Sequence, residues 1–153
     1  MMVATTTSRV QNSSAARDNE HIREKTLETI ARYENATHRE LTYHLAELDR
    51  EWDIERVLEL NFSSVVLLGI ALGTFSNRRW YLLPAVAGCF MVQHVIEGWC
   101  PPLAILRRLG FRTADEINRE RMAFKTLRGD FADAGASGTG ETSTTSVLHA
   151  AEA

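Results

Sequence analysis

Two apolar runs, Leu60 to Ser76 and Trp80 to Ile96, contain no Asp, Glu, Lys or Arg, and only Asn77-Arg78-Arg79 separates them. In hydrocarbon, every backbone N–H and C=O must be satisfied within its own segment, so runs of this length predict helices that cross a bilayer. With flanking residues, the expected spans are 54–76 and 80–99, joined as a helical hairpin. Trp52 to Phe75 would extend about 34 Å and Trp80 to Trp99 about 28 Å, against a hydrocarbon core of about 30 Å. The aromatic residues agree with this frame. Trp52 and Trp99 would share one interface, and Phe75, Trp80 and Tyr81 would mark the other.

The mean hydropathy of −0.19 conceals this pattern, because polar flanks average with an apolar centre. A net charge of −3 offers no basic footprint for nucleic acid. The two cysteines, Cys89 and Cys100, would lie about 16 Å apart on a continuous helix, too far for a disulfide. Residues 1–18 lack the apolar core of a secretory signal, so the hairpin itself is the expected insertion signal. No phosphate-binding glycine loop, nucleophile elbow, zinc motif or nucleotide fingerprint occurs, which argues against an enzyme of a common motif-bearing class. No cofactor or metal is expected.

The flanks read as helices between polar tails. Residues 1–19 and 132–153 hold too few large apolar side chains to offset the entropy of ordering them, and disorder is expected in both. Residues 20–52 carry neither Pro nor Gly and predict one long amphipathic helix. In it, Leu27, Ala31, Glu34, His38, Leu41, Leu45, Leu48 and Trp52 follow coiled-coil spacing, interrupted by Glu34 and His38. A partner-facing seam and a plain surface helix are both consistent with that pattern. Asp53 can cap the first span, with Glu55 in its first turn, and Pro84 falls in the first turn of the second. Gly69 and Gly73 form a Gly-xxx-Gly pair, suited either to dimerisation or to packing within the hairpin.

Pro101-Pro102 is expected to end the second span, and Leu103 to Leu109 to follow as a short interfacial turn with Arg107 and Arg108 on its polar side. Thr113 and Glu116 form a capping box for a helix from Ala114 to about Arg128. Its Ile117, Phe124 and Leu127 could dock on the first helix or on a partner. Residues 53–110 thus make up the hairpin with its interfacial turn, and 111–131 the C-terminal helical segment. Arg50, Arg56, Arg107, Arg108 and Arg112 lie beside the termini against Arg78 and Arg79 in the turn, which predicts cytoplasmic ends.

Candidate chemistry concentrates where the second run meets water. Gln93, His94 and Glu97 fall on adjoining parts of one helical face, and ionisable groups in a span are functional candidates. Glu97 lies two residues before Trp99, so an interfacial, hydrated cluster is the plain alternative. Cys100, near His94 and Arg107, is a candidate reactive thiol or a small packing residue. Cys89 reads as packing. His21, His38 and His44 lack tight metal spacing and read as solvated.

Gly98-Trp99-Cys100-Pro101-Pro102-Leu103 with Leu109-Gly110, preceded by Trp52-Asp53-Ile54-Glu55-Arg56 and followed by Arg112 to Phe131, resembles the transmembrane domain of the YgaP-like inner-membrane family. The likeness covers about residues 50–131. In the founding type, a rhodanese sulfurtransferase domain precedes this domain. No rhodanese loop precedes the spans here, so that activity is not carried over. The resemblance implies a small bacterial inner-membrane protein with cytoplasmic ends, dimeric and near sulfur or redox metabolism. The expectation is an all-α membrane protein that is not an enzyme: an anchor, accessory or scaffold, self-associating, with a protein partner on the 20–52 helix. An oligomeric conduit or thiol relay for a small sulfur species is the first alternative, and a soluble helical bundle the second.

Overall fold

A computed structural model describes residues 8–131, and every regular element in that stretch is helical. The helices are α1 (Arg9–Asn12), α2 (Ala16–Arg32), α3 (His38–Leu48), α4 (Ile54–Phe75), a 3-10 turn (Arg78–Tyr81), α5 (Leu82–Glu97), α6 (Pro101–Arg108) and α7 (Ala114–Arg128). They form two compact units. The first comprises the described part of Met1–Lys25 with Trp52–Glu116, and the second comprises Thr26–Glu51 with the described residues from Ile117 onward.

In the first unit, α4 begins as expected: the Asp53 carboxylate accepts from the Arg56 N–H at 2.7 Å, supplying an acceptor for an otherwise unpaired helix-start donor. The α4 helix has 22 residues and is the one helix among the described residues long and apolar enough to cross a membrane unaided. Residues 78–97 and Pro101–Arg108 meet that test only as a pair, bent by 67°. Gly73 packs against the Tyr81 ring, Gly69 against Pro84, and Glu55 meets His94, so contacts run in reverse order along α4 and α5. The two helices are therefore an antiparallel hairpin. Any Cβ at Gly69 would collide with the Pro84 ring, and one at Gly73 would come within 2.8 Å of Tyr81, so this small-residue face is filled from within the chain.

The end of α5 differs from expectation. Gly98, not Pro101, terminates the helix, adopting the left-handed conformation (φ 76°) that glycine reaches at least cost. Pro101 and Pro102 instead start α6 at its first two positions, where their missing N–H groups remove donors that would otherwise be unpaired.

Part of the expected N-terminal disorder is also absent. From residue 8 onward the chain is helical, because Val10 is buried with Ile54, Leu58, Cys100 and Leu103, and polar side chains close the helix ends around it. The Ser13 hydroxyl donates to the Glu97 carbonyl at 2.7 Å, and Asn19 donates to the Gln11 carbonyl at 2.8 Å. Residues 1–7 and the tail at 132–153 lie outside the described residues.

Arg107, expected on a polar face, is 2% exposed. Its guanidinium makes a two-pronged contact with Glu116 at 2.7 and 2.8 Å, and reaches Asn19 at 2.6 Å and the Phe111 carbonyl at 3.2 Å. The capping box forms as anticipated, with Thr113 N–H to Glu116 at 2.8 Å and Glu116 N–H to the Thr113 hydroxyl at 3.2 Å. Glu116 thus serves two tasks at once.

The second unit revises the long helix expected over 20–52. Residues 33–37 are turn, and Thr37 caps α3 in a capping box with Glu40. The seam divides with the helix. Leu27 is exposed, whereas Leu41, Leu45 and Leu48 are buried against Ile117 and Phe124. His44, expected in solvent, stacks on Tyr33 at 4.8 Å between ring centroids, lies 4.3 Å from Phe124 and pairs with the buried Glu120 at 3.1 Å. Leu127 stays largely exposed.

Burial opposes ionisation of Glu116, but hydrogen bonds from Arg107 and Thr113 outweigh it and hold the carboxyl below its ordinary value of 4.5. A depressed carboxyl contributes stability above its unfolded value and loses it as pH falls through the folded value. Unfolding free energy should therefore drop below about pH 4.5, and Glu116→Gln should flatten that dependence. Arg107→Met, which strands a buried carboxylate, should cost about 3 kcal/mol in denaturant unfolding.

Candidate functional site

The junction between α4, α5 and α6 gathers most of the first unit's chemistry. Glu55 lies in the first turn of α4, where the helix dipole favours a carboxylate. His94 lies in the last turn of α5 and is 1% exposed. The two meet through His94 Nε2 and Glu55 Oε2 at 3.0 Å, and the other Glu55 oxygen accepts from Arg9 at 3.1 Å. A carboxylate is an acceptor, so this contact places a proton on Nε2. The other ring nitrogen, Nδ1, is fully buried and has no hydrogen-bond partner.

Cys100 stands close by. It is the N-cap residue of α6, 5% exposed, and belongs to the same buried cluster as Ile54 and Leu58, which flank Glu55 on α4. The left-handed turn at Gly98 breaks the helix between His94 and Cys100, and a Cβ there would press to 2.6 Å from the Arg9 carbonyl.

The Gln93, His94, Glu97 group is divided by the structure. His94 turns inward to Glu55, whereas Gln93 donates to Glu97 at 3.2 Å on the outer surface. Glu97 is exposed and contributes its backbone carbonyl to Ser13. Cys89 is exposed on α5. Gly69 and Gly73 lie elsewhere on the hairpin, against Pro84 and Tyr81. No group of three His, Cys, Asp or Glu side chains among the described residues could hold a metal ion.

Two members of the site escaped the sequence. Glu55 was legible as a helix-start carboxylate but not as the partner of a histidine 39 positions later. Arg9 lay in a segment expected to be disordered. Chemically, the pair is an imidazole held in orientation by a carboxylate. Beside them, an apolar groove of about 290 Å³ runs between α4 and α5, lined by Leu58, Phe62, Val65, Leu83 and Phe90 among others, with Asn61 and Cys100 as its polar members.

Replacing Glu55 by Ala should leave the buried His94 ring without its acceptor and lower stability by about 1–3 kcal/mol, read from thermal or denaturant unfolding. No protein-family model, curated protein or solved structure matches the chain, so the likeness to the YgaP-like domain stands on the quoted residues alone.

Proposed function

We propose that this chain is an integral protein of the bacterial inner membrane whose hairpin crosses the bilayer twice and anchors a helical unit for a protein partner on the cytoplasmic side. The observation that carries this reading is the exposure of α4: its most apolar window has a hydropathy of 1.7, yet only 17% of that window is buried inside the chain. A core helix of a soluble bundle would be covered by its own protein. Here Leu67, Leu68 and Phe75 on α4 and Leu82, Val86 and Val92 on α5 all point outward. Water is a poor solvent for so continuous an apolar surface, and lipid is a good one.

Length supports two crossings. The α4 helix extends about 33 Å, and residues 78–97 roughly 30 Å, each close to a hydrocarbon core. Beyond the bend at 98–100, α6 exposes Ile105, and Leu109 follows it, as suits a helix lying at the headgroup level. Arg107 is neutralised by Glu116 and drops out of the orientation argument. Arg50, Arg56, Arg108 and Arg112 still outnumber Arg78 and Arg79, which favours cytoplasmic ends. Self-association through Gly69 and Gly73 is not part of the reading, because Pro84 and Tyr81 already occupy that face. The anchored unit carries no enzymatic role in this reading. The thiol alternative is favoured by one observation, the Glu55–His94 pair beside Cys100.

Membranes washed with alkaline carbonate should retain the protein, and recovery in the wash would sink the assignment. Asn77→Cys in a chain whose native cysteines are replaced by Ser should react with an impermeant maleimide on intact spheroplasts, and a cysteine at Ala123 should react only after lysis.

A further inference from the structure

Asn61 is exposed on α4, and its amide makes no hydrogen bond among the described residues. It lies seven residues past Ile54, about 10 Å along the helix axis, at the second position of the charge-free run. In the proposed function that depth is hydrocarbon, and an Asn side chain is too short to carry its amide back to the headgroups. Ser64 and Thr74 meet the same surroundings by donating to carbonyls of α4 itself. Asn61 does not, and an amide left bare in hydrocarbon is strongly unfavourable. Leu58, Asn61, Phe62 and Val65 follow one another at helical intervals of three and four, so they form one stripe along α4. That stripe walls the groove of about 290 Å³, in which Asn61 is the one polar side chain apart from the Cys100 thiol.

We propose that the groove is the interface of a symmetric dimer, in which Asn61 pairs with Asn61 of a second copy across a two-fold axis normal to the membrane. The proposal rests on the membrane reading, because only hydrocarbon makes the bare amide costly. The same reading fixes the symmetry. Two copies inserted in one orientation form a closed dimer only about an axis along the membrane normal, so equivalent residues stand at equal depth. A carboxamide suits that position: it carries both a donor and an acceptor, and two copies satisfy each other. A lipid chain would fill the groove with hydrocarbon but offers neither donor nor acceptor at this depth, and leaves the amide unmet. A single Asn in an apolar seam also specifies register and oligomer state. The interface lies apart from the Gly69 and Gly73 face, which Pro84 and Tyr81 fill, and Val86 and Phe90 of α5 form its rim.

The test uses the full chain in vesicles of phosphatidylethanolamine and phosphatidylglycerol, with Cys89 and Cys100 replaced by Ala. Val65→Cys, about one turn from Asn61 on the groove stripe, should give a covalent dimer under copper-phenanthroline oxidation. Ser63→Cys, at the same depth but on the far side of α4, should not. Donor- and acceptor-labelled copies carrying Asn77→Cys should transfer energy to one another, and dilution into excess lipid should abolish the transfer. Asn61→Leu should weaken association about tenfold, read from the midpoint of that dilution curve. Helix content should stay unchanged, because the amide holds no hydrogen bond within the chain. The cross-linking arm keeps Asn61 and so tests the interface even where Asn61→Leu fails to fold. Equal cross-linking of Ser63→Cys and Val65→Cys, a parent midpoint in folded Asn61→Leu, or a monomeric parent at every dilution would each overturn the dimer in protein that resists carbonate. A monomer is the outcome that lipid or a foreign helix in the groove would give. Extraction of the parent by carbonate would overturn the membrane reading and the dimer with it.

Discussion

The two-pronged contact between Arg107 and Glu116 is the interaction on which the first unit depends. Burying a guanidinium costs several kcal/mol unless its donors are met, and a buried ion pair repays that cost only when its geometry is good and its remaining hydrogen bonds are satisfied. Glu116, Asn19 and the Phe111 carbonyl meet the two terminal amino groups, while the buried Nε has no hydrogen-bond partner. The consequence is positional. One side chain on α6 ties down the start of α2, the loop before α7 and the cap of α7, and α6 itself carries Cys100 at its head.

The ion pairs that the hairpin makes lie at one end. Glu55, His94 and Arg9 pair with one another there, and the Asp53 cap and the Ser13 bond to Glu97 close helix ends beside them. Along α4 and α5, by contrast, Ser64 and Thr74 turn their hydroxyls back onto carbonyls of their own helix, which lets them sit on an apolar surface without an unmet donor. The division between a wet end and a dry barrel follows from the same rule in each place. A polar atom removed from water needs a partner, and where partners are scarce the surface is apolar.

Departures from the sequence reading have separate physical causes. The break at 33–37 was legible, since Thr37 and Glu40 have capping-box spacing, but the absence of Pro and Gly outweighed it. The burial of Arg107 was not legible, because an arginine on an amphipathic helix normally faces water, and its acid partner nine residues on is reached only through a turn. The ordering of residues 8–19 rests on Val10 alone among large apolar side chains, below what composition can detect. His44 could be recognised as partly buried only once α7 had brought Phe124 and Glu120 beside it.

By itself, the sequence determined the all-helical class, the caps at Asp53 and Thr113, the close packing at Gly69 and Gly73, and the 93–102 segment as the place to look for chemistry. These are local consequences of periodicity, capping and charge exclusion, and they need no knowledge of what lies across the fold. Only the tertiary structure decided that His94 faces Glu55 rather than Glu97, that Arg9 completes the pair, and that Cys100 lines an apolar groove. Those contacts join residues far apart in the chain through the hairpin's reversal and the left-handed turn at Gly98, and spacing within a single helix carries no record of either.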